Sequence, residues 1–125
     1  MKLSDLPALG QPLAAGMYCG VVTAKDGTHN AVVLLPDAPS ERLRWQAAMD
    51  WAKALEADLP SRPVAALLFA NAKASFDPNW YWTNETEESD GSYAWYQTFD
   101  NGGQDLTHKS DEGRARAVRL IPLDA

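Results

Sequence analysis

Apolar positions change their period twice along this chain. From Met17 to Ala24 the residues Tyr18, Val21, Val22 and Thr23 favour extended backbone. Lys25-Asp26-Gly27-Thr28 then predicts a hairpin, because Asp-Gly tolerates the positive φ of a tight turn. The chain returns over Asn30 to Leu35. There the run Ala31-Val32-Val33-Leu34-Leu35 is continuous rather than alternating, which predicts a strand buried on both faces. Pro36 ends it. The period next becomes helical. Ser40 reads as an N-cap and Glu41 suits a first turn. Trp45, Ala48, Ala52 and Leu55 fall on one side with Trp51 beside them, while Gln46, Asp50 and Lys53 take the other. Asp58-Leu59-Pro60 stops this helix. A second starts at Ser61, with Pro63 in the first turn, where a missing N–H costs little. Val64, Leu67, Leu68 and Asn71 make its face, and Asp77-Pro78-Asn79 breaks the chain after it.

From Trp80 onward a period of two returns. Trp80 to Asn84 reads as one strand and Tyr93 to Phe99 as another. Side chains alternate across a sheet, so Trp95 and Phe99 share a face, assigned to the core, and Tyr96 and Thr98 point the other way. Asn101-Gly102-Gly103 is a turn, Leu106 to Lys109 a short strand, and Arg116 to Leu120 the closing strand. The expected core is Trp45, Trp51, Trp82, Trp95, Phe99 and Val118. Residues 1–16, rich in Pro, Gly and Ala, read as an irregular N-terminal arm, leaving 17–125 as the folded domain. Strands, then two helices, then strands argue for an α+β fold rather than a doubly wound sheet.

Composition narrows the function classes. One domain is expected for 125 residues, and a hydrophobic fraction of 46% argues against wholesale disorder. A net charge of -6 disfavours nucleic acid, whose phosphates would be repelled. Between Asn84 and Asp105 every charged residue is acidic, and the following stretch turns basic with Lys109, Arg114, Arg116 and Arg119. The single cysteine, Cys19, excludes an internal disulfide framework. The start lacks the apolar core of a signal peptide, and no apolar run is long enough to cross a bilayer. The expectation is a protein made in a cytoplasm, with no membrane partner and with a virion or a host-cell surface open as destinations.

The order of motifs carries a family resemblance. A tryptophan-rich helix is followed by Leu59-Pro60-Ser61-Arg62, Tyr81-Trp82-Thr83-Asn84, Ala94-Trp95 to Phe99 with Gly102-Gly103, and Arg116-Ala117-Val118-Arg119. This succession resembles the Lcl C-terminal-domain family, which recurs in bacterial surface proteins and in phage and prophage genomes. Those domains look like members of the wider C-type-lectin-like fold, shared with formylglycine-generating enzymes and variable proteins of diversity-generating retroelements. The resemblance spans roughly residues 17–121 and rests on order and spacing. It implies two helices packed on a small, mostly antiparallel sheet, first and last strands paired, and a long loop-rich second half presenting a variable surface. It further implies structural roles for Trp82, Trp95 and the Arg-x-Val-Arg strand, and binding of sugars or proteins. Two departures matter. The calcium-binding Glu-Pro-Asn or Gln-Pro-Asp loop and Trp-Asn-Asp strand of sugar-binding C-type lectins are missing, and Cys19 stands alone where formylglycine-generating enzymes need a cysteine pair.

Five candidate chemistries remain. Asn84, Glu85, Glu87, Glu88 and Asp90 could supply calcium with oxygens from one loop, but their spacing matches no EF-hand, and no cofactor is expected. His29 and His108 lie far apart without clustered zinc partners. Cys19, within Tyr-Cys-Gly-Val-Val, reads as core packing rather than a nucleophile, so no catalytic set emerges and the chain is read as non-enzymatic. The Asn84-Glu85-Thr86 triplet fits a glycosylation acceptor by chance, absent a secretory signal. The aromatics carry more. Trp80, Tyr81, Tyr93 and Tyr96 cannot all be buried beside Trp82 and Trp95. Together with Asn101, Gln104, Asp105 and His108 they have the chemistry of a recognition surface: flat apolar area at low entropy cost with orienting polar groups. The expected function is a binding module recognising a protein or glycan through residues 80–109. The alternative is a virion or assembly component using the same surface as a subunit interface in a homo-oligomer.

Overall fold

The computed structural model describes residues 1–124. Its strands are β1 (Pro12–Leu13), β2 (Gly16–Thr23), β3 (His29–Leu34), β4 (Trp80–Thr86), β5 (Tyr93–Thr98), β6 (Gln104–His108) and β7 (Val118–Pro122). Between β3 and β4 lie helices α1 (Trp45–Ala54) and α2 (Arg62–Ala72). The fold is α+β, but the strands form two antiparallel sheets rather than one: β1-β2-β3-β7 and β4-β5-β6. The closing strand pairs with β3, from Leu34↔Val118 to Asn30↔Pro122, not with β2. β1 occupies the outer edge of β2 through Pro12↔Met17, which leaves the outer edge of β3 for β7. The chain before β1 contributes a short 3-10 turn at Leu3–Asp5, and the Met1 ammonium lies 3.2 Å from the Asp124 carboxylate.

The continuous apolar run of β3 is buried on both faces, as its pattern predicts. Val33 and Leu35 pack with Trp45, Ala48, Ala52 and Trp82, beneath α1. Val32 and Leu34 pack with Cys19, Val64, Leu68 and Phe99, beneath α2. The strand therefore divides two cores.

Element ends depart from the sequence pattern where distant backbone intervenes. α1 begins at Trp45, not at Ser40. Leu43 donates its N–H to Gly113 O (2.8 Å) and accepts from Gly113 N (2.9 Å), so the preceding chain is held extended. Arg44 takes the N-cap position without a side-chain bond. At the other end Glu56 adopts a left-handed φ of 56°, which stops the helix before Asp58-Leu59-Pro60. Arg119 caps that end from β7, donating Nη2 to Leu55 O (2.7 Å) and Nε to Glu56 O (3.2 Å). A cation there also complements the helix dipole. Arg119→Met keeps the aliphatic stem and removes both bonds. A loss of about 1–2 kcal/mol is expected, read as a lower urea midpoint at unchanged slope. β7 begins at Val118 because Arg116 is turned aside, donating Nη1 to Ser75 O (2.6 Å) and Nη2 to Leu35 O (2.9 Å). β6 begins at Gln104 rather than Leu106, since Gln104 already pairs with Gln97. Among the described residues no helix is long and apolar enough to cross a membrane.

Candidate functional site: the face of β5 and β6

β5 is the central strand of the second sheet. Its register with β6 sets Tyr93 opposite His108, Trp95 opposite Leu106 and Gln97 opposite Gln104. Directly opposed residues share a face, so these six form one ladder, which Tyr81 opposite Gln97 extends onto β4. Trp80, Trp82, Tyr96 and Asp105 belong to the reverse face. The single aromatic surface expected from the sequence therefore does not form. Consecutive strand residues cannot share a face, and the expected set divides: Tyr81, Tyr93, Gln104 and His108 on one side, Trp80, Tyr96 and Asp105 on the other. Asn101 sits exposed in the β5–β6 turn.

Several of these residues are committed to packing. Tyr81 is buried, accepts a hydrogen bond from Asp77 N (3.0 Å) and meets Phe76 and Phe99 edge-on. Its ring belongs to the core under α2 and is withdrawn from the expected aromatic surface. Trp80 is half-buried, set edge-on against Trp82 and tilted against Tyr96 at 5.1 Å. Its ring covers Gly113, where any Cβ would overlap it. Trp82 is fully buried and donates Nε1 to Leu43 O (2.8 Å). Trp45 is buried and donates Nε1 to Thr83 O (2.9 Å). Phe99 and Val118 are buried as expected, while Trp51 only flanks the core under α1. Trp95 is not a core residue. Alternation carries Phe99, just past β5, to the same side, but Trp95 lies half-buried beyond the end of the helix that covers Phe99.

What covers Trp95 instead is Arg62, whose guanidinium carbon sits 3.5 Å from the ring centroid. α2 puts it there. Ser61 Oγ caps the helix by accepting from Val64 N (3.3 Å), and Glu85 Oε2 accepts from Arg62 N (2.7 Å). A glutamine pair then locks the arginine. Gln97 is fully buried, donates Nε2 to Ala65 O (2.6 Å) and accepts from Gln104 Nε2 (2.8 Å). Gln104 donates to Arg62 O (2.8 Å) and accepts from Arg62 Nε (2.9 Å). Beyond Trp95, the Tyr93 hydroxyl lies 2.9 Å from His108 Nε2, with the rings 4.2 Å apart. Burial thus falls along the ladder, from Phe99 under α2 to His108 in solvent. The result is a flat ring-bearing row with fixed polar edges, suited to stacking and hydrogen bonding. Arg62 and Gln97 were not legible as site residues, because α2 reaches this face only through long-range packing.

The acidic loop does not converge. Asn84 donates to Asp58 Oδ2 (3.0 Å), Glu85 caps α2, Glu87 accepts from Ser89, and Asp90 accepts from Ser92. Hydrogen bonds from Ser92 hold the Asp90 carboxyl below its ordinary pKa. Among the described residues no group of three or more His, Cys, Asp or Glu is placed to hold a metal ion. His29 pairs with Thr23 Oγ1 (2.8 Å). Cys19 is buried, its thiol donates to Met17 O (3.4 Å), and burial raises its pKa, which favours the unreactive thiol. Comparison with protein-family models and with curated proteins finds no match to this chain.

Proposed function

We propose that this chain is a non-enzymatic binding module of C-type-lectin-like fold, recognising a protein or glycan through the β5–β6 face. One observation carries the reading: the Arg62 guanidinium is stacked on Trp95 and locked by Gln104, next to the Tyr93–His108 pair. An arginine fixed by side-chain bonds loses little entropy when a ligand docks. A shallow hollow continues the row past the helix start, lined by Lys25, Ser61, Pro63, Glu85 and Gln104. The resemblance to phage and prophage domains supports the same reading.

Tyr93→Ala tests it, with Trp95→Ala as a second variant. On a glycan array, and with captured host proteins re-tested pure, the wild type binds. Either variant weakens binding about tenfold or more, the scale of a central aromatic contact, with little change in unfolding midpoint for Tyr93→Ala. Binding retained in both variants overturns the site.

A second reading, assembly through the same surface, is favoured by the position of β6. It pairs with β5 alone in the sheet order, so its outer backbone edge can accept another strand. Light scattering separates the two. A stable oligomer dispersed by Tyr93→Ala supports assembly, and a monomer that binds supports recognition.

A further inference from the structure

A second site lies beside β4, where Arg114 bridges Tyr81 at the edge of the sheet opposite β6, and it is independent of the reading above. The 38–42 segment and the Arg114–Arg116 segment enclose a cleft of about 360 Å³. Three arginines line it, Arg42, Arg114 and Arg116, together with Ser40, Ser75 and Tyr81. We propose that this cleft binds a small oxyanion ligand, a phosphorylated or carboxylated metabolite, gripped by Arg114 and Arg116.

The argument begins with charge. The chain carries 17 Asp and Glu against 11 Lys and Arg, so carboxylates are in excess. Yet among the described residues the one ion pair within 4.0 Å joins Met1 to Asp124. Neither Arg114 nor Arg116 has a carboxylate in contact. Glu41 and Asp77 also line the cleft, and Asp37 and Asp77 act on Arg116 only through space. Hydrogen bonding gives the same picture. The Nε groups of Arg114 and Arg116 are buried and donate to no protein acceptor. Buried donors are nearly always satisfied, and a charged one left open is costly.

The two arginines differ in a way that assigns roles. Arg116 is fixed by Leu35 O and Ser75 O and lies over the Phe76 ring at 5.2 Å. Burial lowers its pKa, as expected for a guanidinium taken from water, and it stays charged at neutral pH. Arg116 therefore serves as a clamp between segments and as a rigid floor. Arg114 has no such employment. Its backbone is held, with Arg114 O accepting from Trp82 N (3.0 Å), but its buried Nε donates to no described residue. A planar fork on a fixed backbone fits a carboxylate or phosphate edge. Tyr81 completes the set. Its hydroxyl oxygen already accepts from Asp77 N, so its proton is available to donate.

Isotope-labelled protein titrated with inorganic phosphate, and separately with acetate and citrate, tests the proposal at constant ionic strength. The arginine Nε–Hε resonances and the unfolding midpoint are followed. Saturable shifts of the Arg114 and Arg116 resonances, with a raised midpoint, are expected for at least one anion. Response to phosphate alone assigns phosphate esters, and response to acetate or citrate assigns carboxylates. Arg114→Gln should weaken binding about tenfold or more, the worth of a charge-assisted bond, while the ligand-free midpoint stays near wild type. Arg114→Lys, which keeps the charge and loses the fork, should also bind weakly. Resonances unmoved by any of the three anions overturn the proposal, as does binding unchanged in both variants. Tyr93→Ala should leave this binding intact, which separates its failure from failure of the β5–β6 reading.

Discussion

Trp82→Ala is expected to cost about 3–5 kcal/mol, the range for deleting a large buried aromatic. A domain of this size is stable by about 5–15 kcal/mol, so the variant sits at the edge of unfolding. The indole is fully buried among Val33, Trp45, Ala94 and Ala117, with Trp80 edge-on against it. Its N–H also satisfies Leu43 O, the residue whose bridge to Gly113 sets where α1 begins. Removal therefore opens a cavity and takes from Leu43 O one of its two donors, leaving Gly113 N (2.9 Å). Urea unfolding followed by near-ultraviolet circular dichroism measures the loss. Trp95→Ala is the control. Half-buried under a guanidinium, it should cost clearly less than Trp82→Ala. Equal losses would mean that both indoles support the core, contrary to the placement of Trp95.

Gln97→Glu should give the other large effect, and one that depends on pH. Gln97 is fully buried and donates Nε2 to Ala65 O, while its Oε1 accepts from Gln104. An ionised glutamate keeps the acceptor and sets a second oxygen against a carbonyl. An ordinary glutamate titrates near 4.3. Full burial raises such a group by about three units or more, worth about 4 kcal/mol at 1.36 kcal/mol per unit. The folded state then holds a proton that the unfolded state releases, so stability falls as pH rises above the unfolded value. The loss continues until the folded pKa is passed. Near pH 4 the protonated acid can still donate to Ala65 O, and the variant should approach wild type. By pH 7 most of the loss should be present. Urea midpoints across this range decide the matter, and a flat difference from wild type would mean that water reaches the site. Because Gln97 orders Gln104, and Gln104 holds Arg62, the same change should loosen the proposed recognition face at neutral pH.

The sequence pattern conveyed the element types and the doubly buried β3, because both follow from local periodicity. Val32 and Val33 facing opposite cores is the direct outcome of a continuous apolar run. Alternation along β5 also placed Trp95 and Phe99 correctly on one face. How far α2 extends over that face is a tertiary fact, and so Trp95 emerged half-buried. The start of α1 differs from its pattern for a similar reason: Ser40 has cap chemistry, but the Leu43–Gly113 bridge overrides it. The division into two sheets was hidden, since strand order depends on which edge remains open. The aromatic residues were found as a group, yet their assignment to one surface failed on elementary strand geometry, visible in Trp80 and Tyr81 alone. The Arg114–Arg116 cleft has no signature in the sequence, because a basic run gives no sign of whether its charges are neutralised.

The placement of β3 also bears on synthesis. Its pairing with β2 is local and can form early, but Asn30 waits for Pro122 and Leu34 for Val118. A nascent chain whose β7 is still inside the ribosome presents one open edge of its most apolar strand. Such high contact order slows folding, and it makes that interval the time when chaperone engagement, or mispairing between neighbouring chains on one message, is decided.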